Sequence, residues 1–249
     1  MAIATHLDMP RFYFDHALEV GAQCELPPDI ARHIGVLRLR VGDVITLFNG
    51  RGGEFAATLT VIDKHRVVAH IKTFDAREAE PGHALTLAQA LPEASKMDWV
   101  IEKAVELGVT TIQPLIAARS VVRLTEERAD KKLMHWRAVV AAASAQSGRN
   151  RLPSVATPIP FASWIAQHDL HPRILLSPRA QQSLADWARH RPAQPVTLIV
   201  GPEGGLSEAE EQLAIARGAI CLSIGRRVLR TETAGIAALA ALHALWGEF

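Results

Sequence analysis

The stretch LIVGPEGGLSEAE, residues 198–210, decides how the rest of the chain is interpreted. It starts at the end of an apolar run, passes through a loop with three glycines in five residues and continues into polar residues. Ser207 followed by Glu210 is the S-x-x-E pattern of a helix N-terminal capping box. Glycine lets backbone approach a neighbour closely, and a helix N-terminus offers free N–H groups. The stretch therefore predicts a strand, a ligand-contacting loop and a helix, although most glycine-rich turns bind nothing.

Two common nucleotide-binding motifs do not fit this loop. It lacks the G-K-[ST] of a P-loop, and G-x-x-G-G differs from the dinucleotide pattern G-x-G-x-x-G. Nucleotide hydrolysis and hydride transfer therefore lose support. A second stretch, LSIGRRVLRTETAGIAAL at residues 222–239, also runs from a short strand through a polar turn into an apolar helix. Loops of this kind converge on ligands at the carboxyl edge of α/β sheets, so the two stretches are expected to form one site.

Composition limits the class of protein. The 249 residues are 49% hydrophobic and 21% charged with a formal net charge of +1, which neither requires nor excludes an RNA partner. The sequence has no apolar stretch long enough to span a bilayer and no secretion signal at its start, so a cytoplasmic protein without membrane contact is expected. Cys24 and Cys221 lack metal-ligand spacing, and no metal site is expected.

Patterning predicts two domains. Alternating apolar residues and turn signals between Val41 and Phe74 indicate a small antiparallel β unit. The charged, Pro-Gly-containing stretch that ends at His83 is the best boundary. Beyond it, short apolar runs alternate with helical patterns, which is typical of an α/β fold with a parallel sheet covered by helices. The expected organisation is a β domain over residues 1–75, a linker over 76–83 and an α/β domain over 84–249.

Residues 198–210 and 222–239 together closely resemble the paired C-terminal motifs of the ribosomal RNA small subunit methyltransferase E family, the 16S ribosomal RNA uridine-N3 methyltransferases of the SPOUT superfamily. Upstream segments agree in order over nearly the whole chain, including RFYF at 11–14, KMDWVIEKAVELGVTTIQPL at 96–115 and AQSGRNRLP at 145–153. One departure is Ala145, where the family pattern is expected to have Glu, and it puts a carboxylate role there in doubt.

The resemblance implies a PUA-like N-terminal β-barrel that grips RNA and a SPOUT domain whose C-terminal chain is tucked into a trefoil knot. It implies the cofactor S-adenosyl-L-methionine, held largely by backbone groups, ribosomal RNA of the small subunit as partner, and a homodimer. The apolar C-terminal helix around Leu239 and Trp246 exceeds a single stripe, which also favours a dimer. The implied cofactor-binding residues are Leu176, Gly201, Pro202, Glu203, Gly204, Gly205, Leu222, Ile224, Gly225, Leu229, Arg230 and Thr231.

Methylation of uridine N3 requires a proton acceptor and stabilisation of the resulting charge. Glu232 is the expected base and Arg230 its electrostatic partner, with Glu203 as the rival base and positioning alone, with water or hydroxide as the proton acceptor, as a further alternative. Glu232 is alternatively a first-turn carboxylate favoured by the helix dipole. The expected RNA-binding residues, each weak alone, are Arg11, Arg38, Arg40, Arg51, Lys96, Lys103, Arg123, Gln146 and Arg149.

Two other functions remain open on the sequence, a non-catalytic RNA-binding module on the same scaffold and a different small-molecule transferase. A binding module predicts eroded cofactor loops. Both GPEGG and LRTETA are intact here, which favours the enzyme.

Overall fold

The computed structural model describes residues 9–93, 96–121 and 126–248, with the backbone alone for residue 126. The chain divides into two compact units. One consists of Met1–Glu80 and Ser144–Leu152, and the other of Pro81–Ala143 and Pro153–Phe249. The division thus falls inside the expected linker. Unlike the organisation expected from sequence, the first unit also includes Ser144–Leu152.

The first unit is built on a five-stranded sheet with the order β1-β3-β4-β5-β2. Strands β1 and β3 are parallel, and the other neighbours are antiparallel. Alternating residues such as Ile45, Leu47 and Leu59 are fully buried, and helix α1 adds Ile30 and Ile34 to the same core. The elements are β1 Arg11–Tyr13, β2 Gln23–Leu26, α1 Pro28–Val36, β3 Val44–Phe48, β4 Glu54–Ile62 and β5 Val67–Asp75. The predicted antiparallel β unit is confirmed.

The second unit contains a seven-stranded sheet with the order β12-β10-β11-β6-β7-β8, and β9 also pairs with β7. Every strand pair in it is parallel. Its strands are β6 Leu85–Ala90, β7 Thr111–Ile116, β8 Ser154–Val155, β9 Ile159–Pro160, β10 Arg173–Leu176, β11 Val196–Val200 and β12 Ile220–Leu222. The central strand β11 is buried at all five positions, as expected for a sheet covered on both faces.

Six helices accompany these strands in the part of the chain that the structure describes: α2 Lys96–Glu106, α3 Glu126–Ser147, α4 Phe161–Ile165, α5 Leu184–Arg189, α6 Glu208–Ala216 and α7 Thr231–Trp246. The expected stripe on α2, from Met97 to Val105, is buried. Helix α6 begins with the predicted capping box, in which Ser207 and Glu210 satisfy each other's backbone N–H groups. None of the described helices is long and apolar enough to cross a membrane.

The predicted α/β fold with a parallel sheet and a separate β unit is confirmed. Because the strands are parallel, the carboxyl ends of β6, β10, β11 and β12 lie at one edge of the sheet. The loops in residues 198–210 and 222–239 follow β11 and β12 at this edge. The trefoil knot stays a prediction.

Candidate active site

A cavity of about 570 Å³ lies at the carboxyl edge of the parallel sheet. This volume is within the range of small-molecule sites, about 300–1,000 Å³. Three loops line it: the start of the loop after β10 at Ser177, the glycine loop 201–206 after β11, and residues 224–231 after β12. Lys96, at the start of α2, lies at the same cavity. Elements separated widely in sequence therefore build one pocket.

The glycine loop brings its backbone to the cavity wall. A Cβ on Gly201 would lie 2.9 Å from the amide nitrogen of Leu206, closer than a side chain tolerates. Gly205 has φ +67°, a left-handed conformation that favours glycine. Glycine at these two positions therefore allows the loop to fold tightly on itself where it lines the cavity.

A neighbouring loop holds the glycine loop in place. Arg119 donates from Nη1 to the carbonyl oxygens of Gly204, at 2.9 Å, and Leu206, at 3.3 Å. Glu210, besides capping α6, accepts a hydrogen bond from the Ala118 amide at 2.8 Å. The sequence analysis did not identify Arg119 as a site residue. The only signal was its position at the start of RSVVR, a segment that agrees with the family.

A buried relay of hydrogen bonds ties the same loop to α7. Gln89 is fully buried on β6, and its Nε2 donates to the Thr231 hydroxyl at 2.9 Å and to the Ala90 carbonyl at 2.9 Å. Thr231 in turn donates to the Gly201 carbonyl. Gln89 was also missed, although an amide side chain inside the apolar run ALTLAQAL is itself unusual.

Two acidic side chains and one lysine form the polar end of the cavity. Lys96 Nζ lies 2.8 Å from Glu203 Oε1 and 3.9 Å from Glu232 Oε2. Glu203 Oε1 also accepts a hydrogen bond from the Glu93 amide at 3.0 Å. Glu232 Oε2 is buried and has no hydrogen-bond donor among the described residues. Of the two candidate bases, Glu203 thus accepts two hydrogen bonds on Oε1, whereas Oε2 of Glu232 accepts none from the described part of the chain.

The pKa values of Glu203 and Lys96 reflect the hydrogen bond between them. Partial burial opposes ionisation of Glu203, but hydrogen bonds from Lys96 and the Glu93 amide outweigh it and lower the pKa of the Glu203 carboxyl. The hydrogen bond to Glu203 raises the pKa of Lys96, although partial desolvation opposes it. Lys96 therefore stays an ammonium, and Glu203 is a weaker proton acceptor than an isolated glutamate.

All but one of the predicted cofactor-binding residues lie at the cavity. Eleven of the twelve line the cavity, and Arg230 and Glu232 lie there too. Leu222 is fully buried and does not line it, because it sits inside β12, where its carbonyl accepts a hydrogen bond from the Ser177 amide at 3.0 Å. A direct cofactor contact from Leu222 is therefore not supported.

The predicted RNA-binding residues divide into several groups. Arg38, Arg40, Arg51 and Gln146 are exposed. Lys96 lies at the cavity, and Lys103 Nζ is paired with Glu102 and Glu106, both at 2.7 Å. Arg123 lies outside the described residues.

Arg11 and Arg149 need a correction, because both are buried in ion pairs of the first unit. The Arg11 side chain is 7% exposed, pairs with Glu54 and donates to Asn150 Oδ1 at 2.7 Å. Arg149 is 3% exposed and forms a two-pronged pair with Glu80. These guanidinium groups stabilise the fold and present no open face to a phosphate.

No group of His, Cys, Asp or Glu side chains within the described ranges has the arrangement of a metal site.

The parallel sheet with its edge cavity and the separate β unit correspond to two known domain families of RNA methyltransferases. The RNA methyltransferase domain family matches residues 79–243, and the RNA methyltransferase PUA domain family matches residues 26–72. The chain belongs to the ribosomal RNA small subunit methyltransferase E family. Members named so from Buchnera aphidicola and Mycobacterium bovis are 30% and 31% identical, covering 96% and 94% of this chain and 98% and 91% of theirs.

A solved structure supports the same family assignment. The crystal structure of a ribosomal RNA small subunit methyltransferase E from Neisseria gonorrhoeae, bound to S-adenosyl methionine, is 40% identical with a TM-score of 0.89. It covers 96% of this chain and 98% of its own. The predicted family and the SPOUT-type α/β fold with a PUA-like unit are confirmed.

Proposed function

We propose that this protein transfers the methyl group of S-adenosyl-L-methionine to N3 of a uridine in 16S ribosomal RNA, within the decoding region of the small subunit. The observation that carries the proposal is the cavity built from GPEGG and LRTETA in a chain of this family. The related Neisseria protein was solved with the same cofactor. The cofactor is S-adenosylmethionine, and the activity class is ribosomal RNA methylation. The proposal goes beyond these in naming uracil N3 as the methylated atom.

The cavity fits this cofactor by its own chemistry. Loop backbone lines it where glycine allows close approach, and Leu176, Ile224 and Leu229 supply apolar contacts. The residues that would hold the cofactor are the eleven predicted ones that line the cavity. When bound, the cofactor supplies an electrophilic methyl group on sulfur, and its C–S bond breaks with the electron pair left on sulfur as the uracil nitrogen bonds to carbon.

Glu232 is the proposed general base. Its buried Oε2 has an unused acceptor position among the described residues, whereas Glu203 already accepts two hydrogen bonds. Glu232 takes the N3 proton of the uracil. The negative charge left on the uracil ring spreads onto the two carbonyl oxygens adjacent to N3. Arg230, exposed at the N-terminal cap of α7 and at the cavity, is the proposed electrostatic partner for that charge or for the nucleotide's phosphate.

The first unit is the proposed RNA-gripping part, with the exposed Arg38, Arg40 and Arg51 as phosphate contacts and the exposed Gln146 as a further polar contact. A homodimer in the cytoplasm is part of the proposal. On α7, Ile236, Leu245 and Trp246 remain half-buried in the single chain, which supports a second copy covering that helix.

The test is nucleoside mass mapping of 16S ribosomal RNA from cells with and without the protein, followed by single-turnover methylation in vitro. N3-methyluridine should disappear from one position in the deletion strain. Glu232→Gln should lose 10²-fold or more in rate with unchanged cofactor affinity, and Glu203→Gln should lose less. A wild-type rate for folded Glu232→Gln would refute the base assignment. Isothermal titration with S-adenosylmethionine separates an enzyme from a binding module, which would give no heat.

A further inference from the structure

Lys96 and Glu232 present a hydrogen-bond donor beside an acceptor at the cavity. The two atoms, Nζ and Oε2, are 3.9 Å apart. An ammonium has three donors, and Glu203 takes one of those on Lys96. The buried Glu232 Oε2 meets no donor among the described residues. A ligand edge with a donor next to an acceptor would therefore match the pair.

We propose that Lys96 is a catalytic residue that donates a hydrogen bond to a uracil carbonyl oxygen while Glu232 receives the N3 proton. This inference rests on the proposed function and deepens it, because it assigns Lys96 a direct contact with the reacting uracil. An imide edge, N–H beside C=O, pairs its N–H with the carboxylate and its oxygen with the ammonium. Cytosine has no N–H at N3, so it cannot place a proton from that nitrogen on Glu232.

The charge requirement supports this role over a phosphate contact. The N3 proton is far less acidic than a carboxylic acid, so its transfer to Glu232 leaves a charge that needs a strong donor nearby. A preorganised cation at a partly buried site provides one without reorganisation. The Lys96 side chain is 30% exposed, and Glu203 holds its ammonium at 2.8 Å, so the donor is fixed in position at the cavity.

Glu203 becomes a positioning residue in this arrangement. Its Oε1 is held by the Glu93 amide at 3.0 Å and in turn holds Lys96. The ammonium between two carboxylates also reduces the repulsion between them. Loss of the Glu203 charge should therefore displace Lys96 and lower the rate without removing the base.

The test uses the full-length protein with Lys96→Met, which keeps the side-chain length and removes the charge, and with Lys96→Arg. Lys131→Met is the matched control, because Lys131 is an exposed lysine paired with Glu127 at 2.7 Å and lies away from the cavity lining. Circular dichroism and S-adenosylmethionine affinity by titration establish that each variant is folded with its cofactor site intact.

The first arm measures binding without turnover. With S-adenosylhomocysteine present, single-stranded decamers of uridine, N3-methyluridine and cytidine compete for the protein. The wild type and Lys131→Met should prefer the uridine decamer to the N3-methyluridine decamer by about tenfold, within the discrimination of a paired contact. Lys96→Met should bind the uridine decamer about tenfold more weakly than the wild type does, because the carbonyl oxygen loses its donor. Cytidine, whose N4–H beside N3 also offers a donor next to an acceptor, measures pairing without an N3 proton. Equal affinity of Lys96→Met and the wild type for the uridine decamer would overturn the inference.

The second arm measures the rate. Single-turnover methylation of ribosomal RNA by Lys96→Met should fall about 10²-fold, the usual size for loss of one such donor. The deficit should shrink with 5-fluorouridine at the target, since fluorine makes the N3 proton more acidic. If Lys96 instead binds phosphate, the rate at saturating RNA stays unchanged and the log-log salt slope of RNA binding falls by about 0.7. That result overturns the inference.

Different results would refute the proposed function and the role of Lys96. If the wild type makes no N3-methyluridine, the proposed function is wrong, and the decamer competition still decides whether Lys96 recognises an imide edge. If the wild type methylates and Lys96→Met equals it, the inference about Lys96 alone is wrong.

Discussion

The relay from Gln89 through Thr231 to Gly201 allows a quantitative prediction. Thr231→Val removes the hydroxyl and keeps the shape of the side chain. Thr231 is 6% exposed and Gln89 fully buried, so solvent cannot replace the lost partners. The Gly201 carbonyl loses a donor, and Gln89 Nε2 keeps only the Ala90 carbonyl. A buried polar group left without its partner costs about 1–3 kcal/mol.

Two groups lose a partner, each at a cost of about 2 kcal/mol, and about 0.8 kcal/mol is regained from the methyl group that replaces the hydroxyl, so the expected cost of Thr231→Val is about 3 kcal/mol. At about 2–4 °C per kcal/mol for a chain of this size, the melting temperature should fall by about 6–12 °C. Thr231→Ser retains the hydroxyl and should keep most of the stability. Because the relay fixes the Gly201 backbone, Thr231→Val should also weaken S-adenosylmethionine binding by about tenfold, or about 1.4 kcal/mol.

Calorimetric melting and isothermal titration measure the two effects, and a double-mutant cycle with Gln89→Met tests their common origin. The two substitutions should be strongly non-additive in stability, since either one breaks the same relay. An unchanged melting temperature together with weakened cofactor binding would refute the reasoning. In that case the hydroxyl would act on the cofactor directly rather than through the Gly201 backbone.

Three further predictions follow from other contacts. Partial burial opposes ionisation of Glu54, but hydrogen bonds from Arg77 and Arg11 outweigh this effect and lower the pKa of Glu54 from 4.5 to about 2. The ionised carboxylate therefore contributes up to about 3 kcal/mol to the free energy of unfolding above pH 4.5, and this contribution is lost as pH falls toward 2. Acid titration of the melting temperature should show this loss in the wild type and not in Glu54→Gln, which should be less stable at neutral pH. Arg119→Ala should weaken S-adenosylmethionine binding several-fold by releasing the glycine loop, measured by titration, and an affinity equal to the wild type would contradict the clamp. Sedimentation at micromolar concentration should give twice the monomer mass, and a monomer would end the dimer proposal.

Local interactions explain what could be predicted from the sequence. The capping box of Ser207 and Glu210 involves residues three apart, so its signal is complete within one turn. The apolar stripe of α2 is equally local, because burial follows a period of 3.6 residues. The alternation of short apolar runs with helices identified the parallel sheet. Family resemblance then located the three loops of the cavity, which periodicity alone did not.

Non-local pairing explains what could not be predicted. Arg11 and an exposed arginine such as Arg38 look alike in sequence, and only the carboxylate of Glu54, 43 residues away, distinguishes them. Arg149 is likewise buried by Glu80, 69 residues earlier. A buried charge requires such a partner, and no local pattern indicates which residue supplies it. The same is true of Gln89, whose partner Thr231 is 142 residues away.

The departure at Ala145 can be understood from the Arg11 contacts. Arg11 Nε donates to the backbone carbonyl of Ala145 at 3.2 Å, and the carboxylate that neutralises Arg11 comes from Glu54. Arg77 donates in the same way to the Gly148 carbonyl at 3.0 Å while pairing with Glu54. The main chain of the segment Ser144–Leu152 thus helps to hold it in the first unit, together with the side-chain contacts of Arg149 with Glu80 and of Asn150 with Arg11. Any residue supplies a carbonyl, so these hydrogen bonds of Arg11 and Arg77 do not depend on which side chain stands at position 145.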